Sequence, residues 1–542
     1  MKNITISLII TCFIAAGCNQ AATVNMADFG LTASTPENAA EKLREAFDYC
    51  RELGKPVRLV LEKGCYEIDL GQKPGQMAFL FGISSMEDFT FDGGGSELYF
   101  KGLSGLALAT CSKRVSLENF TMDWRRPYIT EAEVTDMTTE RLIIRIDPQK
   151  YPYRIAGGHV RYLCDDGEYD VVKDSYCNWL SPEGKIIPGT ADDYDLYRTL
   201  NGPVKVLDDG RLEFGGKFQY SVPAGSRLLI YHVRYKTPWC RSFMTEGLRL
   251  ENITIRHCTG CGLIADCCTD ITIRDVDYIP ADGRVFTGVA DAFHITHASG
   301  KVEMSGCDIN GQGDDALNVH GRYYRITGLS PDLKTMQCST RSHVPLITAG
   351  DSVWFVCQGE MKRSEKYAVK SFTNASQDGS VWKMELEKPL DHDLAGLEIY
   401  AENATRNPEI HIHDNHFGSG NRARGILVTS PRKTVIEDNL FESSGAAILI
   451  EGDLNYWYES GGVSDVLIRR NVFSHCRTSP WGAAVIALTP STSVPGYHSG
   501  VIVIENQFIL DPGAEPLFSV DSSAVRFASD NMIYRVSSGQ SL

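Results

Sequence analysis

The chain has 542 residues, 43% of them hydrophobic and 23% charged, which is the balance of a folded protein but too long for one ordinary compact domain. A formal net charge of −16 argues against nucleic acid or another polyanion as the main partner, since phosphate contacts would be repulsive; neutral glycans remain suitable. A single elongated repeat architecture can absorb such a length.

Residues 1–18 read as a leader. Lys2 gives the positive start, Ile4 to Ala16 is apolar, and Ala15-Ala16-Gly17-Cys18 resembles a lipoprotein cleavage site with Cys18 as the lipidated residue. A plain secretory peptide is the alternative. Both predict export, and the first predicts a lipid-anchored protein of the cell envelope, in the periplasm or outer membrane. No later stretch is long and apolar enough to span a bilayer.

A helix is predicted over 35–53, with Thr35 as N-cap, Pro36 in the first turn and Gly54 just past the end. Leu43, Ala46, Phe47, Cys50 and Leu53 share one face, and a strand follows at Val57 to Leu61. A helix before such a strand suits the capped start of a β-solenoid, whose end must be covered.

The C-terminal third repeats a short motif: Asp414-Asn415-His416-Phe417, Asp438-Asn439-Leu440-Phe441, Arg470-Asn471-Val472-Phe473, Glu505-Asn506-Gln507-Phe508 and, more weakly, Asp530-Asn531-Met532-Ile533. Its asparagines are 24, 32, 35 and 25 residues apart, and one coil of a parallel β-helix takes roughly two dozen. Stacked Asn amides can bond from coil to coil while the neighbouring Phe fills the core. Glu118-Asn119-Phe120 and Glu251-Asn252-Ile253 are read as earlier copies.

Residues 131–236 and 322–400 break this rhythm with strand-like runs such as Leu142 to Ile146 and Val381 to Leu386, separated by turn residues. The predicted fold is therefore all-β: a right-handed parallel β-helix over 19–130, 237–321 and 401–542, carrying two small antiparallel β insertions. Sixteen cysteines are present. Cys258, Cys261, Cys267, Cys268 and Cys307 lie in strand-like repeats without a completing His pair, so buried thiols are preferred over zinc.

The chemistry is expected around Val289-Ala290-Asp291-Ala292-Phe293-His294 and Gly311-Gln312-Gly313-Asp314-Asp315-Ala316-Leu317-Asn318-Val319-His320-Gly321. Asp291 and Asp314 are 23 residues apart, one coil, so the three aspartates should sit on neighbouring rungs. Adjacent side chains on a strand point to opposite faces, and a buried carboxylate costs several kcal/mol, so a bulge at Gly311 or Gly313 is expected to turn both aspartates outward. Crowded like charges push one carboxyl up in pKa, which supplies an acid beside a base, as glycoside hydrolysis requires. Calcium binding and a solvated Asp-Asp turn are the alternatives.

These two runs resemble glycoside hydrolase family 110, the bacterial exo-acting α-1,3-galactosidases. Thr121-Met122-Asp123-Trp124-Arg125-Arg126-Pro127, Arg424-Gly425-Ile426-Leu427-Val428-Thr429 and Tyr456-Trp457-Tyr458-Glu459-Ser460-Gly461 extend the resemblance in order across most of the mature chain. It implies a parallel β-helix, inversion of configuration, and neither metal nor other cofactor. It also implies Asp314 as general acid, with Asp291 and Asp315 activating water. The implied substrate is a glycan with terminal α-1,3-linked galactose, blood-group-B-type or linear. His294, Asn318, His320, Trp457 and Glu459 are the candidate substrate-binding residues. Inversion predicts a carboxyl separation of roughly 6.5–9.5 Å. A polygalacturonase-like pectin hydrolase is the second reading, although no Arg-Ile-Lys is present; a non-catalytic glycan-binding β-helix is the third.

Overall fold

The computed structural model describes residues 21–173, 178–187, 190, 195–341, 344–420 and 422–537. Cys18 and the rest of the leader lie outside them. The body is a parallel β-helix with two β insertions. Each full coil contributes strands to three faces. One is exemplified by Glu409–His413, Thr434–Glu437, Val466–Arg469 and Val501–Ile504, the next by His416–Phe417, Leu440–Phe441 and Val472–Ser474. The third runs through Cys240–Phe243, Leu263–Asp266, Phe293–Thr296, the start of Leu317–Leu329, Ile426–Val428, Ile448–Ile450 and Ile486–Leu488, all parallel.

The corner between the first two faces explains the Asn repeat. In register across the coils, Asn119, Asn252, Asp275, Gly306, Asp414, Asp438, Arg470 and Glu505 all take positive φ. One residue later the chain turns inward. From Asn415 onward that inward position is Asn, and each amide donates to the next: Asn415 to Asn439 at 2.9 Å, Asn439 to Asn471 at 2.9 Å, Asn471 to Asn506 at 3.0 Å and Asn506 to Asn531 at 3.0 Å. Phe417, Phe441, Phe473 and Phe508 stack beside them, with centroids 4.7, 5.1 and 4.8 Å apart.

Asn119 and Asn252 are not copies of that ladder, contrary to the sequence reading. They occupy the corner itself, in the left-handed conformation that Asn tolerates better than most residues. Phe120 and Ile253 take the inward position there. The ladder begins where Cys307 N–H donates to Asn415 Oδ1.

The N-terminal helix spans Ala39–Leu53, four residues shorter at its start than predicted. Thr35 does not cap it. The Thr35 N–H turns back to Thr32 O at 3.1 Å and its hydroxyl to Gly30 O at 3.2 Å, and Asn38 is the N-cap. Gly54 ends the helix with φ 59°. Phe47 packs on Phe81 and Phe89, closing the first coil.

The insertions are antiparallel. Between Ile129 and Tyr231 a six-stranded sheet forms with its own core around Ile144, Trp179, Phe214 and Leu228. The second leaves the solenoid without a break: within Leu317–Leu329, Leu317 to Val319 pair in parallel with Ile426 to Val428, and Tyr323 to Arg325 pair antiparallel with Tyr400 to Glu402. No helix among the described residues is long and apolar enough to cross a membrane. Every cysteine among them is free.

Candidate active site

The aspartates sit at the bend that feeds the third face. Two glycines make that bend possible. Gly311 has φ 74°. A Cβ on Gly313 would lie 2.6 Å from the Val289 carbonyl, so no other residue fits without moving the rung beneath. Directly after them come Asp314 and Asp315.

Register places Asp315, rather than Asp314, above Asp291. Phe293 pairs with Leu317 and Leu317 with Ile426, and two residues earlier this column reads Asp291, Asp315, Arg424. The Asp315 N–H donates to Asp291 Oδ1 at 3.2 Å. One carboxylate oxygen from each of Asp291, Asp314 and Asp315 lies within 4.8 Å of the others. That spacing is between nearest oxygens, whereas the roughly 6.5–9.5 Å of inversion is between whole carboxyl groups. Rungs stack at about 4.8 Å, and the side chains follow the stack rather than splaying.

Cations balance it. Arg424 grips Asp315 with a fork, Nε to Oδ1 at 2.8 Å and Nη2 to Oδ2 at 2.9 Å. Arg422 Nη2 donates to Asp314 Oδ2 at 3.1 Å. His294 Nδ1 donates to Asp291 Oδ2 at 2.7 Å. Asp315 is 1% exposed as a side chain, Asp291 11% and Asp314 16%, so Asp314 is the most accessible of the three. Burial is the chief influence on Asp291 and Asp315 and lifts both carboxyls above the usual range; the neighbouring carboxylates add to it, while His294 and Arg424 oppose it.

The two histidines resolve into different charge states. His294 Nε2 lies 3.2 Å from His320 Nε2. His294 Nδ1 already faces a carboxylate, and His320 Nδ1 faces Gly321 O, so two neutral rings would set lone pair against lone pair. One ring must therefore carry both protons. Burial opposes charge on both. On His294 the Asp291 carboxylate overcomes that penalty and raises the pKa, whereas burial and the neighbouring His294 drive His320 well below its ordinary value. His294 is the imidazolium and His320 the neutral acceptor.

Glu459 is buried with Oε1 3.6 Å from His320 Nε2. Asn318 is 3% exposed and its Oδ1 has no hydrogen-bond partner, an acceptor left for a ligand on the same wall as His294. Trp457 is 39% exposed beside Tyr456, with the Arg341 guanidinium over both rings.

Sequence reasoning did not single out Arg422, Arg424 or Glu451 as site residues. Glu451 is half-buried on the coil after Arg424, and desolvation lifts its carboxyl to about 7, with Arg424 opposing and Glu459 adding. The available signal was phase: Arg424-Gly425-Ile426 stands in the same relation to its strand as Asp315-Ala316-Leu317 does.

No family model matches the chain. Among curated proteins, alpha-1,3-galactosidase B of Bacteroides thetaiotaomicron is 30% identical, over 98% of this chain and 89% of that protein. Alpha-1,3-galactosidase A of Shewanella woodyi is 27% identical, over 93% and 86%. Among solved structures, the catalytic domain of Agl-KA aligns over 97% of this chain and 70% of its own, at 9% identity and a TM-score of 0.38.

Proposed function

The chain belongs to the bacterial α-1,3-galactosidases, the family 110 glycoside hydrolases, and from that premise we propose that it removes terminal α-1,3-linked galactose from glycan chain ends, with Asp291, Asp314 and Asp315 as the catalytic carboxylates. The observation that supports this assignment is the closed set of three carboxylates faced by Arg422, Arg424 and the His294 imidazolium.

Hydrolysis needs a proton for the glycosidic oxygen and a base for water. Asp314, the most accessible carboxyl, delivers the proton. Asp291 takes the proton from water, and the Asp315 N–H donated to its Oδ1 and the His294 cation on its Oδ2 fix its orientation. Asp315, nearly sealed, is held ionised by the two-bond Arg424 fork against the lift that burial gives its carboxyl, and so supplies negative charge toward the oxocarbenium-like transition state. Asn318 and Glu459 offer acceptors to sugar hydroxyls, while His320, its Nε2 taken up by His294, holds that imidazolium in place behind them. Trp457 and Tyr456 offer a face for the sugar beyond the cleaved bond.

We assign inversion, as the family resemblance implies, so the first product is β-galactose. Proton NMR during early turnover of Galα1-3Gal tests this; α-galactose appearing first would overturn it and make one of the crowded carboxylates a nucleophile. Asp291→Asn, Asp314→Asn and Asp315→Asn should each lower kcat by about a thousandfold or more while sugar still binds, within the range for essential acid–base groups with an electrostatic role. Retained turnover on all three would remove the assignment. Release from polygalacturonate, without release from any α-1,3-galactoside, would favour a pectin hydrolase.

Export with a lipid on Cys18 is part of the proposal and is supported by the leader pattern alone. Labelled palmitate incorporated by the full chain and lost in Cys18→Ser is the expected result. Equal labelling of both would refute it.

A further inference from the structure

A cluster of two histidines and a glutamate lies on the first face of the solenoid, away from the face that carries the aspartates. Glu303 and His411 are register partners on adjacent rungs, and His413 follows two residues on, so both imidazoles project from the same side of one strand. One donor atom from each of Glu303, His411 and His413 lies within 4.8 Å of the others. The two rings are 4.2 Å apart, centroid to centroid.

The groups behind them matter as much. His413 Nδ1 donates to Asp414 Oδ2 at 2.7 Å, which leaves its Nε2 directed at Glu303 Oε1, 3.6 Å away. His411 Nε2 bonds Glu437 Oε1 at 2.9 Å, which leaves Nδ1 for another partner. Each imidazole thus has one nitrogen anchored by a carboxylate and one available, the arrangement that fixes the tautomer and orientation of metal-binding histidines. Where His413 Nε2 carries no proton its lone pair faces the Glu303 oxygen acceptor to acceptor, and a cation between them satisfies both. Lys301 Nζ occupies the other Glu303 oxygen at 3.0 Å and does not fill this gap.

We propose that Glu303, His411 and His413 bind one divalent transition-metal ion of the zinc class, with solvent completing its shell. Two imidazole nitrogens and one carboxylate oxygen suit zinc, with ligand bonds of about 2.0–2.2 Å; tetrahedral ligand atoms then stand roughly 3.3–3.6 Å apart, so small side-chain rotations close the set. Its position gives it a role. Glu303 precedes the second insertion and both histidines follow it, so the ion cross-links the rungs that the insertion separates in sequence. Constraining a long excursion of chain in this way favours the folded state.

The test uses the full chain stripped with chelator and titrated calorimetrically with zinc chloride. One equivalent should bind, and the melting temperature should rise by several degrees. His411→Ala and His413→Ala should each weaken binding at least tenfold and abolish that rise. Glu303→Gln, which keeps both imidazoles and nearly the same shape, should weaken it less and guards against a variant that merely folds poorly. Galactosidase kcat should be unchanged by chelation. Undiminished zinc binding in His411→Ala/His413→Ala, or zinc binding that inhibits turnover and is lost in Asp314→Asn instead, would place the ion among the catalytic carboxylates and overturn the proposal. So would the absence of zinc binding.

Discussion

Arg424 and Asp315 form two parallel hydrogen bonds, 2.8 and 2.9 Å long, between rungs whose residues are 109 positions apart in the chain. Asp315 is almost wholly buried, so this fork is what makes its negative charge tolerable there. Arg424→Ala should therefore lower kcat on Galα1-3Gal by about a hundredfold or more. It should also lower stability by roughly 3–5 kcal/mol, the cost of stranding a buried charge. Arg424→Lys keeps the charge but not the fork and should fall between, in both kinetics and thermal melting.

That pair also shows where the sequence was readable and where it was not. Asp291, Asp314 and Asp315 were found because one coil separates them and coil length is visible in the Asn repeat. Arg424 has the same phase, but the second insertion stands between it and Asp315, so no coil-length spacing marks it. Asn119 and Asn252 misled for a different reason. A left-handed corner and an inward ladder position both favour Asn, and composition does not distinguish them. The parallel β-helix with its two insertions was legible in strand rhythm. The charge states of His294 and His320 follow from a diagonal contact that no linear pattern encodes.

The ladder predicts a gradient of stability. Asn471 is fully buried, donates to Asn506 and to Ile436 O, and receives Asn439. Asn471→Ala should lower unfolding free energy by about 2–4 kcal/mol, since several buried groups lose partners at once. Asn531, at the open end, should lose less than about 1 kcal/mol on the same change. Urea unfolding of the two variants compares them directly; equal losses would mean the ladder adds nothing cooperative.

Gly313→Ala should cut turnover steeply while leaving the remainder of the solenoid folded. The added methyl meets the Val289 backbone at 2.6 Å, and relief must come from the loop holding Asp314 and Asp315. Near-normal kcat with an unchanged melt would show that the bend relaxes without displacing either carboxylate.

Two groups with raised folded pKa values set the pH dependence in adjacent windows. His416 bonds Asp308 and Glu442 on the rungs to either side, and those hydrogen bonds lift its pKa to about 9. The folded state holds that proton more tightly, so the stabilisation is complete below the unfolded value of about 6.5 and is lost as pH climbs through 9. Because the ring is partly exposed, His416→Gln should cost no more than about 1 kcal/mol at pH 6 and nothing at pH 10.

Glu451 has the same sign in a lower window, as a penalty on the charged form instead of a stabilisation of it. Its folded value near 7 exceeds the unfolded one, so the protein loses stability as pH rises from about 4.5 to 7. Glu451→Gln should remove that slope and gain up to about 3 kcal/mol at pH 8, read by melts across the range.

The 109-position separation of Asp315 and Arg424 also imposes an order of events on synthesis. A ribosome adding about 5–20 residues per second releases the three aspartates several seconds or more before the arginines that neutralise two of them. During that interval the growing chain holds a nascent knot of repelling carboxylates at its leading edge, with the second insertion still to be made. The working half of the molecule is thus unable to mature until its C-terminal coils dock, and chains interrupted before position 424 would expose an unbalanced anionic cluster instead of an early, partly active enzyme.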